Sequence, residues 1–556
     1  MNKNYFLTYL VLLTITGLTG CDLFRVTKPN KDKEIVFLAI NDVYNIEGVD
    51  ERNSGGLARV RSLRKQLEEE YGTVFLIHAG DFLFPSPMSR LYKGEQIVDI
   101  LNRLDGANHQ FDPYMLVTFG NHEFDKSKNK HIGLLNARLE DSEFNWLHTN
   151  IEFSDQITTT NLIKSKVIEI DGVKVGFFSL STDLKQPEYA RIDNHYGDIA
   201  RQAIKVLRKQ HAQLIIAITH LQLSQDIAIL NELGNDGPDI VFGGHEHQKL
   251  IRCVAQRCVH KADSDARSAT IAKVTFNHQG KPIIKTENLL LNKETIVPDQ
   301  QMTQAVEQWL SRYEQEYCAQ KELATGCLSE VVGKTNATLV GEEIQIRMFE
   351  TNLGNFVADQ MLAAFRNANL ARELQPDIAL INSGSIRLNQ DIPKNTLITN
   401  YHLNAMFQYD VNLKLLDIDG ETLNKVLNHS IEDWTGNGWW LQVAGLAFEH
   451  DPQKQTATKI HIYKNNQWVP LKPQDKLRAV VSDYIATPTM GDQDGYTMLT
   501  PNKEFDYRGS TGSYFDLKTI VKTHLKQLYG TDKGINPTLE GRICNTQKPE
   551  SQCLLP

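Results

Sequence analysis

The chain has 556 residues, of which 41% are hydrophobic and 23% are charged, and its formal net charge is −9. This length exceeds what one ordinary hydrophobic core accommodates, so we expect two domains. The acidic balance argues against a nucleic-acid partner, because proteins that bind polyanions usually carry a basic stripe.

The first segment of the chain has the pattern of an export signal. Lys3 gives a positive start, and residues 5–16 form an apolar stretch that is short for a membrane span but suits a signal peptide. Residues 18–21, Leu-Thr-Gly-Cys, resemble the lipobox of lipoproteins, in which Cys21 is lipidated. The alternative is an ordinary cleaved signal in which Cys21 has no role. We expect residues 1–20 to be a signal peptide and the protein to be exported and membrane-anchored through Cys21, facing the periplasm or cell surface.

Apolar strand-like runs alternate with amphipathic helical stretches after this segment. The alternation predicts a layered α/β domain over residues 34–297 and a second α/β domain over residues 331–545. Residues 298–330 between them predict a linker helix, and residues 546–556 form a tail. The predicted strands of the first domain are Ile35–Ile40, Thr73–His78, Met115–Thr118, Val173–Leu180, Leu214–Thr219 and Ile240–Phe242, and two of its predicted helices are Leu57–Glu70 and Gly94–Leu104.

Six cysteines follow Cys21, and they fall in three local pairs. An even number at short separations in an exported chain favours disulfides. Metal binding by thiolates is the alternative, although no Cys-x-x-Cys spacing occurs. The expected pairs are Cys253/Cys258, Cys318/Cys327 and Cys544/Cys553.

Polar residues follow the predicted strands of the first domain where each strand ends. Functional groups of α/β sheets gather at the carboxyl ends of strands, so we expect these side chains to converge. Carboxylates, imidazoles and an amide oxygen suit Zn²⁺, Mn²⁺ or Fe, and so many ligands favour two ions over one. These strand-end segments are Asn41-Asp42, Gly80-Asp81, Gly120-Asn121-His122-Glu123, Thr219-His220 and Gly244-His245-Glu246-His247.

The order of these segments resembles the signature of calcineurin-like metallophosphoesterases. Residues 55–59, Gly-Gly-Leu-Ala-Arg, are similar to a segment of the two-domain 5′-nucleotidase family, and the second domain carries further matches. The resemblance implies a four-layer calcineurin-like sandwich followed by a second α/β domain that binds substrate. The matching segments of the second domain are Glu350–Asn355, Asn382–Arg387, Asp494–Tyr496 and Glu540–Ile543.

The resemblance also implies roles for individual residues. His122 would stabilise the transition state or protonate the leaving group, and Asp125 would orient and charge it. Arg387 would contact phosphate, Asn382 would touch the base, and Tyr409 and Tyr496 would sandwich it. Ordinary packing is the alternative for the two tyrosines. One divalent ion, expected to be Zn²⁺ or Mn²⁺, would be held by Asp42, Asp81 and His247, and the other by Asp81, Asn121, His220 and His245.

Three departures from the family pattern stand out. Tyr44 occupies the place of a usual histidine ligand, and it either binds as a phenolate or leaves the first site with one protein ligand fewer. Phe349 stands where the family has an arginine, and Arg347 lies two residues earlier. In the turn before Arg387, Ser383 and Ser385 replace glycines.

The resemblance implies a hydrolase that releases phosphate from nucleoside 5′-monophosphates through a metal-activated water. One alternative is hydrolysis of a cyclic nucleotide, a nucleotide sugar or a dinucleotide, which would use the same ions. An alternative of another class is a nucleotide-binding surface lipoprotein whose catalysis has decayed at Tyr44. Because chemistry and specificity would lie on different domains, we also expect an interdomain motion with its hinge within residues 298–322.

Overall fold

The computed structural model describes residues 34–547 and Cys553, apart from 108–109, 158, 369–374, 433, 435, 488–494, 500–503 and 506–514. Cys21 and the predicted signal peptide therefore lie outside the described residues. Within the described part, no helix has the length and apolar character needed to cross a membrane.

Two sheets face each other in the first half of the chain. The first consists, in spatial order, of β15 (Pro282–Leu290), β14 (Ser268–Phe276), β1 (Ile35–Ile40), β2 (Val74–His78), β3 (Met115–Thr118), β4 (Asn145–Leu147) and β6 (Leu162–Ile163). The second consists of β12 (Leu250–Val254), β13 (Arg257–Lys261), β11 (Ile240–Gly243), β10 (Leu214–His220), β8 (Val173–Ser181) and β7 (Ser165–Ile170). A separate ribbon pairs β5 (Ile151–Phe153) with β9 (Ala190–Ile192).

The central strands of both sheets run parallel. In the first sheet β1, β2, β3, β4 and β6 are parallel, and β14 and β15 add antiparallel strands at one edge. In the second sheet β8, β10, β11 and β13 are parallel. All residues of β1, β2, β3, β10 and β11 are buried, which is typical of parallel strands covered on both faces. The carboxyl ends of these strands consequently meet along one edge.

The layers of the first half follow from its buried clusters. Apolar side chains of the two sheets pack face to face, with the ring of Phe177 from the second sheet 5.2 Å from Phe75 and 6.3 Å from Phe37 of the first. Helices cover the outer face of each sheet, so the predicted four-layer arrangement is confirmed. These helices are α1 (Leu57–Tyr71), α2 (Pro87–Tyr92), α3 (Glu95–Leu101) and α4 (Ile132–Asp141) on one side, and α5 (Tyr196–Lys209) and α6 (Leu223–Leu233) on the other.

The residues after β15 form α7 (Gln300–Gln320), which packs against α1, α2 and α3. Trp309 and Tyr313 of this helix are buried in the core of the first half, and the Trp309 indole donates to Asp99 at 2.7 Å. The predicted linker helix is thus an integral part of the first half. A rotation of the second half would therefore have to occur after Gln320, beyond most of the segment expected to contain the hinge.

The second half is also α/β. A mixed sheet contains β20 (Leu441–Ala444), β17 (Ile378–Asn382), β24 (Lys476–Ser482), β19 (Asn412–Asp419), β25 (Glu504–Phe505) and β26 (Phe515–Asp516). A smaller sheet contains β23 (Gln467–Pro470), β22 (Thr456–Lys464), β21 (Leu446–Asp451) and β27 (Ile543–Asn545), and β16 (Val331–Lys334) pairs with β18 (Leu397–Thr399). The helices are α8 (Glu343–Met348), α9 (Asn352–Arg366), α10 (Asn400–Met406), α11 (Gly420–Ile431), α12 (Asp483–Ala486) and α13 (Leu517–Tyr529).

The mixed sheet of the second half separates two cores. On one face it packs against α9, α10 and α13, and on the other against α11 and the smaller sheet. The predicted α/β class of this half is confirmed. The three expected disulfides are also present, linking Cys253 to Cys258, Cys318 to Cys327 and Cys544 to Cys553.

Candidate functional site

The carboxyl ends of five strands carry the predicted metal ligands to one edge of the facing sheets. Asp42 follows β1, Asp81 follows β2, Asn121 follows β3, His220 ends β10, and the segment with His245 and His247 follows β11. Four of these residues have left-handed backbone conformations, which cost of order 1–3 kcal/mol each and persist where the surroundings impose them. Their φ angles are +52° for Asp42, +59° for Asp81, +91° for His245 and +59° for His247.

Asp42, Asp81 and His247 form a group able to hold a metal ion. All three are buried, and one donor atom of each lies within 4.8 Å of the others. Asp42 Oδ1 lies 3.3 Å from His247 Nε2. This is the ligand set expected for the first ion.

The second expected set adjoins the first through Asp81. Asp81 Oδ2 lies 3.2 Å from His220 Nε2, and the rings of His220 and His245 meet edge to face at 5.3 Å. His220 Nδ1 lies 2.7 Å from the carbonyl oxygen of Ala79. Because a carbonyl only accepts, Nδ1 carries a proton in this contact and Nε2 is the nitrogen left to bind a metal.

Several predicted ligand atoms are buried without a hydrogen-bond partner. Among the described residues these include Asn121 Oδ1, and also Asp42 Oδ1 and His220 Nε2, whose ion-pair contacts with His247 and Asp81 lack hydrogen-bond geometry. An unsatisfied buried polar atom costs about 1–3 kcal/mol. Divalent cations in the two expected sets would satisfy these atoms, Asp42 Oδ1 in the first set and Asn121 Oδ1 and His220 Nε2 in the second, and nitrogen and oxygen donors match their preference. The residues present therefore fit divalent metal.

The protonation of the histidines reflects the surplus negative charge of this cluster. Burial opposes the charged form of His220, yet Asp81 and Asp42 outweigh it and raise its pKa to about 9. Burial opposes ionisation of Asp81, but His220 and His122 hold the pKa of that carboxyl well below its usual range. Burial, with His220 alongside, lowers the pKa of His245 to about 3, so this ring is neutral as a metal ligand must be.

Tyr44 lies within the first ligand set. Its hydroxyl is 3.3 Å from Asp81 Oδ2 and 3.0 Å from His247 Nε2. Burial, together with Asp81 and Asp42, raises its pKa well above the usual value. In this charge environment the residue is a neutral phenol, which is a poor ligand unless the ion itself removes the proton.

His122 and Asp125 form a pair beside the ligands. His122 Nδ1 lies 3.0 Å from Asp125 Oδ1, and the backbone N–H of His122 donates to Asp81 Oδ1 at 2.7 Å. Lys185, which sequence reasoning did not single out, also donates to Asp125. Burial opposes ionisation of Asp125, but His122 and Lys185 lower its pKa to about 2. The carboxylate therefore stays charged and holds the imidazole in one orientation.

Two buried carboxylates that were given no role fix the ligand loops. Glu123 accepts from the backbone N–H groups of Gly120, Asp81, Phe82 and Leu83 at 2.6, 2.9, 2.8 and 3.1 Å. Burial and Asp81 raise the pKa of Glu123, and the backbone donors oppose that rise. Asp265 accepts from the backbone of Tyr44 and Asn45, each at 2.9 Å. Glu123 stands inside a recognisable motif, whereas no sequence signal pointed to Asp265.

Only glycine fits at positions 120 and 244, because other atoms lie very close to the backbone of Gly120 and Gly244 beside the predicted metal ligands. A Cβ on Gly120 would lie 2.1 Å from Asp81 Oδ1 and 2.7 Å from His220 Cε1. A Cβ on Gly244 would lie 2.6 Å from the Ala79 carbonyl and 2.9 Å from Asp42 Oδ2. Any side chain at either position would displace a predicted ligand.

The predicted substrate residues of the second half differ in accessibility. The Tyr409 ring is 47% exposed, and the Arg387 guanidinium lies 5.3 Å from its centroid. Tyr496 is fully buried, with its hydroxyl donating to the Trp439 carbonyl. Asn382 is also buried, and its side-chain oxygen accepts from two serine hydroxyls at 2.7 and 3.0 Å.

These contacts show where the residues expected to form the base pocket lie. Tyr496 offers no ring face to a ligand, because it packs inside the core that contains α11. Of the two tyrosines expected to sandwich the base, Tyr409 is accessible and Tyr496 is buried among the described residues. Asn382 braces its own turn, because Ser385 replaces a family glycine and hydrogen-bonds the amide oxygen. Tyr409 is half exposed, and a second guanidinium, that of Arg90, lies 5.6 Å from its ring centroid.

Arg347 lies close to the metal ligands through Glu343. The Arg347 guanidinium pairs with Glu343 at 2.5 Å, and Glu343 contacts His247 Nδ1. Burial opposes ionisation of Glu343, but Arg347 and His247 lower its pKa far below the usual range. Arg347 is therefore linked to His247 through Glu343.

Known proteins share both halves of this architecture. The sequence model of the calcineurin-like phosphoesterases matches residues 35–249, and that of the 5′-nucleotidase C-terminal domain matches residues 331–501. A snake venom 5′-nucleotidase of Naja atra is 25% identical, with 92% of this chain and 98% of that protein covered. The trifunctional nucleotide phosphoesterase protein YfkN of Bacillus subtilis is 24% identical over 79% of this chain, which spans only 31% of that protein.

A solved structure has the same fold across nearly the whole length. The 5′-nucleotidase precursor from Thermus thermophilus superposes with a TM-score of 0.71 at 23% identity, with 93% of this chain and 100% of that chain covered. The two sequence models together cover more than half of this chain, in the order in which the two halves occur. The chain therefore belongs to the 5′-nucleotidase family of phosphoester hydrolases, with a calcineurin-like phosphoesterase domain followed by a 5′-nucleotidase C-terminal domain.

Proposed function

We propose that this protein is a metal-dependent phosphomonoesterase that hydrolyses nucleoside 5′-monophosphates to nucleoside and phosphate. The observation that carries the proposal is the convergence of buried, unsatisfied nitrogen and oxygen donors beside the His122–Asp125 pair. Two divalent ions bound there would neutralise charge on phosphoryl oxygens and supply an activated water. Asp42, Asp81 and His247 are proposed for one ion, and Asp81, Asn121, His220 and His245 for the other.

His122 is the proposed acid for the leaving oxygen. Because Asp125 engages Nδ1, Nε2 is the nitrogen left to exchange a proton with substrate. The low pKa of Asp125, about 2, keeps a negative charge next to the imidazole. Lys185 restrains the carboxylate from its other side.

Phosphate and base are proposed to bind against the second half. The guanidinium forks of Arg387 and Arg347 suit a phosphate dianion. The half-exposed Tyr409 is the proposed stacking residue, and stacking on an aromatic ring contributes about 1–3 kcal/mol per base. Asn382 and Tyr496 were expected to contact the base but are buried. They do not belong to the proposed metal sites, so the type of reaction is better supported than the preference for a nucleobase.

We also propose that the mature protein is exported and tethered through a lipid on Cys21. The three disulfides support an oxidising compartment. Residues 34–297 and 331–545 are proposed as catalytic and substrate-binding domains, with α7 belonging to the first. Mass spectrometry of the mature N-terminus tests the anchor: a diacylglyceryl-modified Cys21 supports it, and an unmodified N-terminus refutes it.

A substrate panel tests the activity. Phosphate release by the soluble chain starting after Cys21 is measured on AMP, UMP, 3′-AMP, a cyclic nucleotide, a nucleotide sugar and a bare phosphodiester, each with Mn²⁺, Zn²⁺ or EDTA. EDTA-sensitive release from AMP or UMP that vanishes in His122→Ala supports the proposal. Turnover of the phosphodiester alone would leave the metal site standing and refute the nucleoside pocket. Absence of turnover on every substrate would refute the enzymatic proposal.

A further inference from the structure

One predicted metal ligand is held by a residue from the other half of the chain. His247 Nδ1 contacts Glu343 Oε2, which belongs to α8 of the second half. Both residues are buried, with 8% of His247 and 4% of Glu343 exposed. A buried carboxylate facing one ring nitrogen accepts its proton and leaves the other nitrogen for the metal. The contact thus sets which nitrogen of His247 is the ligand.

The same carboxylate also pairs with Arg347 one turn further along α8, at 2.5 Å. Glu343 therefore joins a ligand of the first ion to a guanidinium proposed to bind phosphate. Outer partners of this kind orient a ligand and raise its basicity, and their loss typically weakens metal binding about 10- to 100-fold.

The second ion site is built differently. His220 Nδ1 is held by the Ala79 carbonyl of its own half at 2.7 Å. Movement of the second half would leave this contact intact and would separate Glu343 from His247. The two ion sites should therefore respond differently to loss of the interface.

We infer that Glu343 is a positioning residue through which the second half completes the first metal site. It orients His247 from across the interface, so the affinity for the first ion depends on how the two halves are arranged. The inference rests on the proposed function in one respect, namely that His247 binds an ion.

The chain offers a matched control at the adjacent position. Glu342 pairs with Arg267 of the first half at 3.1 Å, so it also contributes a charge to the interface. None of the contacts of Glu342 given by the described residues involves a predicted metal ligand. Glu342→Gln therefore removes an interfacial charge of the same type without touching His247.

Calorimetric titration of the EDTA-stripped soluble chain with Mn²⁺ tests the inference. We expect two binding steps in the wild type, one of which is weakened about 10- to 100-fold in Glu343→Ala while the other changes less than about 2-fold. Glu343→Gln keeps an acceptor for the Nδ1 proton but loses the charge, so it should weaken the same step by a smaller factor. Glu342→Gln should match the wild type.

Other outcomes separate this inference from the proposed function. Equal Mn²⁺ affinities in Glu343→Ala and wild type would overturn it, as would equal weakening of both steps. A raised KM for AMP with unchanged Mn²⁺ binding would mean that Glu343 acts through Arg347 alone, and would also overturn it. Wild-type protein that binds two ions but hydrolyses no nucleotide would refute the proposed function. The role of Glu343 in Mn²⁺ binding would still be decided by the calorimetric comparison of Glu343→Ala with the wild type.

Discussion

Replacing Glu123 by glutamine should lower the free energy of unfolding by an amount that follows from the number of hydrogen bonds lost. One carboxylate oxygen accepts from Phe82 and Leu83, and the other from Gly120 and Asp81. Glutamine keeps one oxygen and turns an NH₂ group toward two N–H groups, so two buried donors lose their acceptor. At about 1–3 kcal/mol for each unsatisfied donor, the loss is about 2–6 kcal/mol.

Differential scanning calorimetry of the EDTA-treated chain measures this loss. For a domain of this size, about 4 kcal/mol lowers the melting temperature by about 8–16 °C. The matched control is Glu169→Gln, an exposed position on β7, which should melt within about 1 °C of the wild type. A Glu123→Gln protein that also melts within about 1 °C of the wild type would refute the assignment of Glu123 as the brace of these loops.

Four further outcomes are expected. His122→Ala should lower kcat about 10²- to 10⁴-fold while Mn²⁺ stoichiometry stays the same, and loss of metal would contradict a proton-transfer role. Arg387→Met should raise KM for AMP more than it lowers kcat, and an unchanged KM would exclude the phosphate contact. Removing the Cys318–Cys327 disulfide by double serine substitution should cost about 2–3 kcal/mol, read as a lower calorimetric melting temperature than that of the wild type under oxidising conditions. The pKa of Asp125 falls from 3.8 to about 2 on folding, so its stabilisation is present above pH 4 and is lost as pH falls toward 2. The stability gap between wild type and Asp125→Asn should therefore narrow as pH falls from 5 toward 2, and a gap that stays constant over that range would contradict the assignment.

The strands of the first half, and the polar residues that follow them, could be predicted from the sequence. A strand that is buried on both faces is a continuous run of apolar residues, which is easily recognised. The Ile35–Ile40 run is apolar throughout and lies between two layers, and Asp42 follows it. The same logic holds for Val74–His78 and Asp81. Because the carboxyl ends of parallel strands lie at the same edge of a sheet, these residues were expected to lie close together. The structure groups Asp42, Asp81 and His247.

The remaining features depend on contacts between distant segments. Asp265 braces Tyr44 across 221 positions of sequence, and Glu343 reaches His247 across 96. Patterns within a short stretch of sequence do not predict contacts between residues that are so far apart. Tyr496 fits a family motif, yet it is buried because the core around α11 closes over it. A sequence motif identifies the residue type at each position, but the exposure of a side chain depends on how the helices and strands pack around it.

The proposed two-metal nucleotidase activity is tested by AMP hydrolysis during metal titration. EDTA-stripped soluble chain is titrated with Mn²⁺, and phosphate release from saturating AMP is followed at each addition. We expect negligible release without metal and a plateau at two equivalents per chain, with no plateau reached in Asp81→Asn, because Asp81 belongs to both proposed ion sites. Release that is insensitive to Mn²⁺, or that is absent at every Mn²⁺ concentration, would contradict metal-dependent hydrolysis of AMP by this protein.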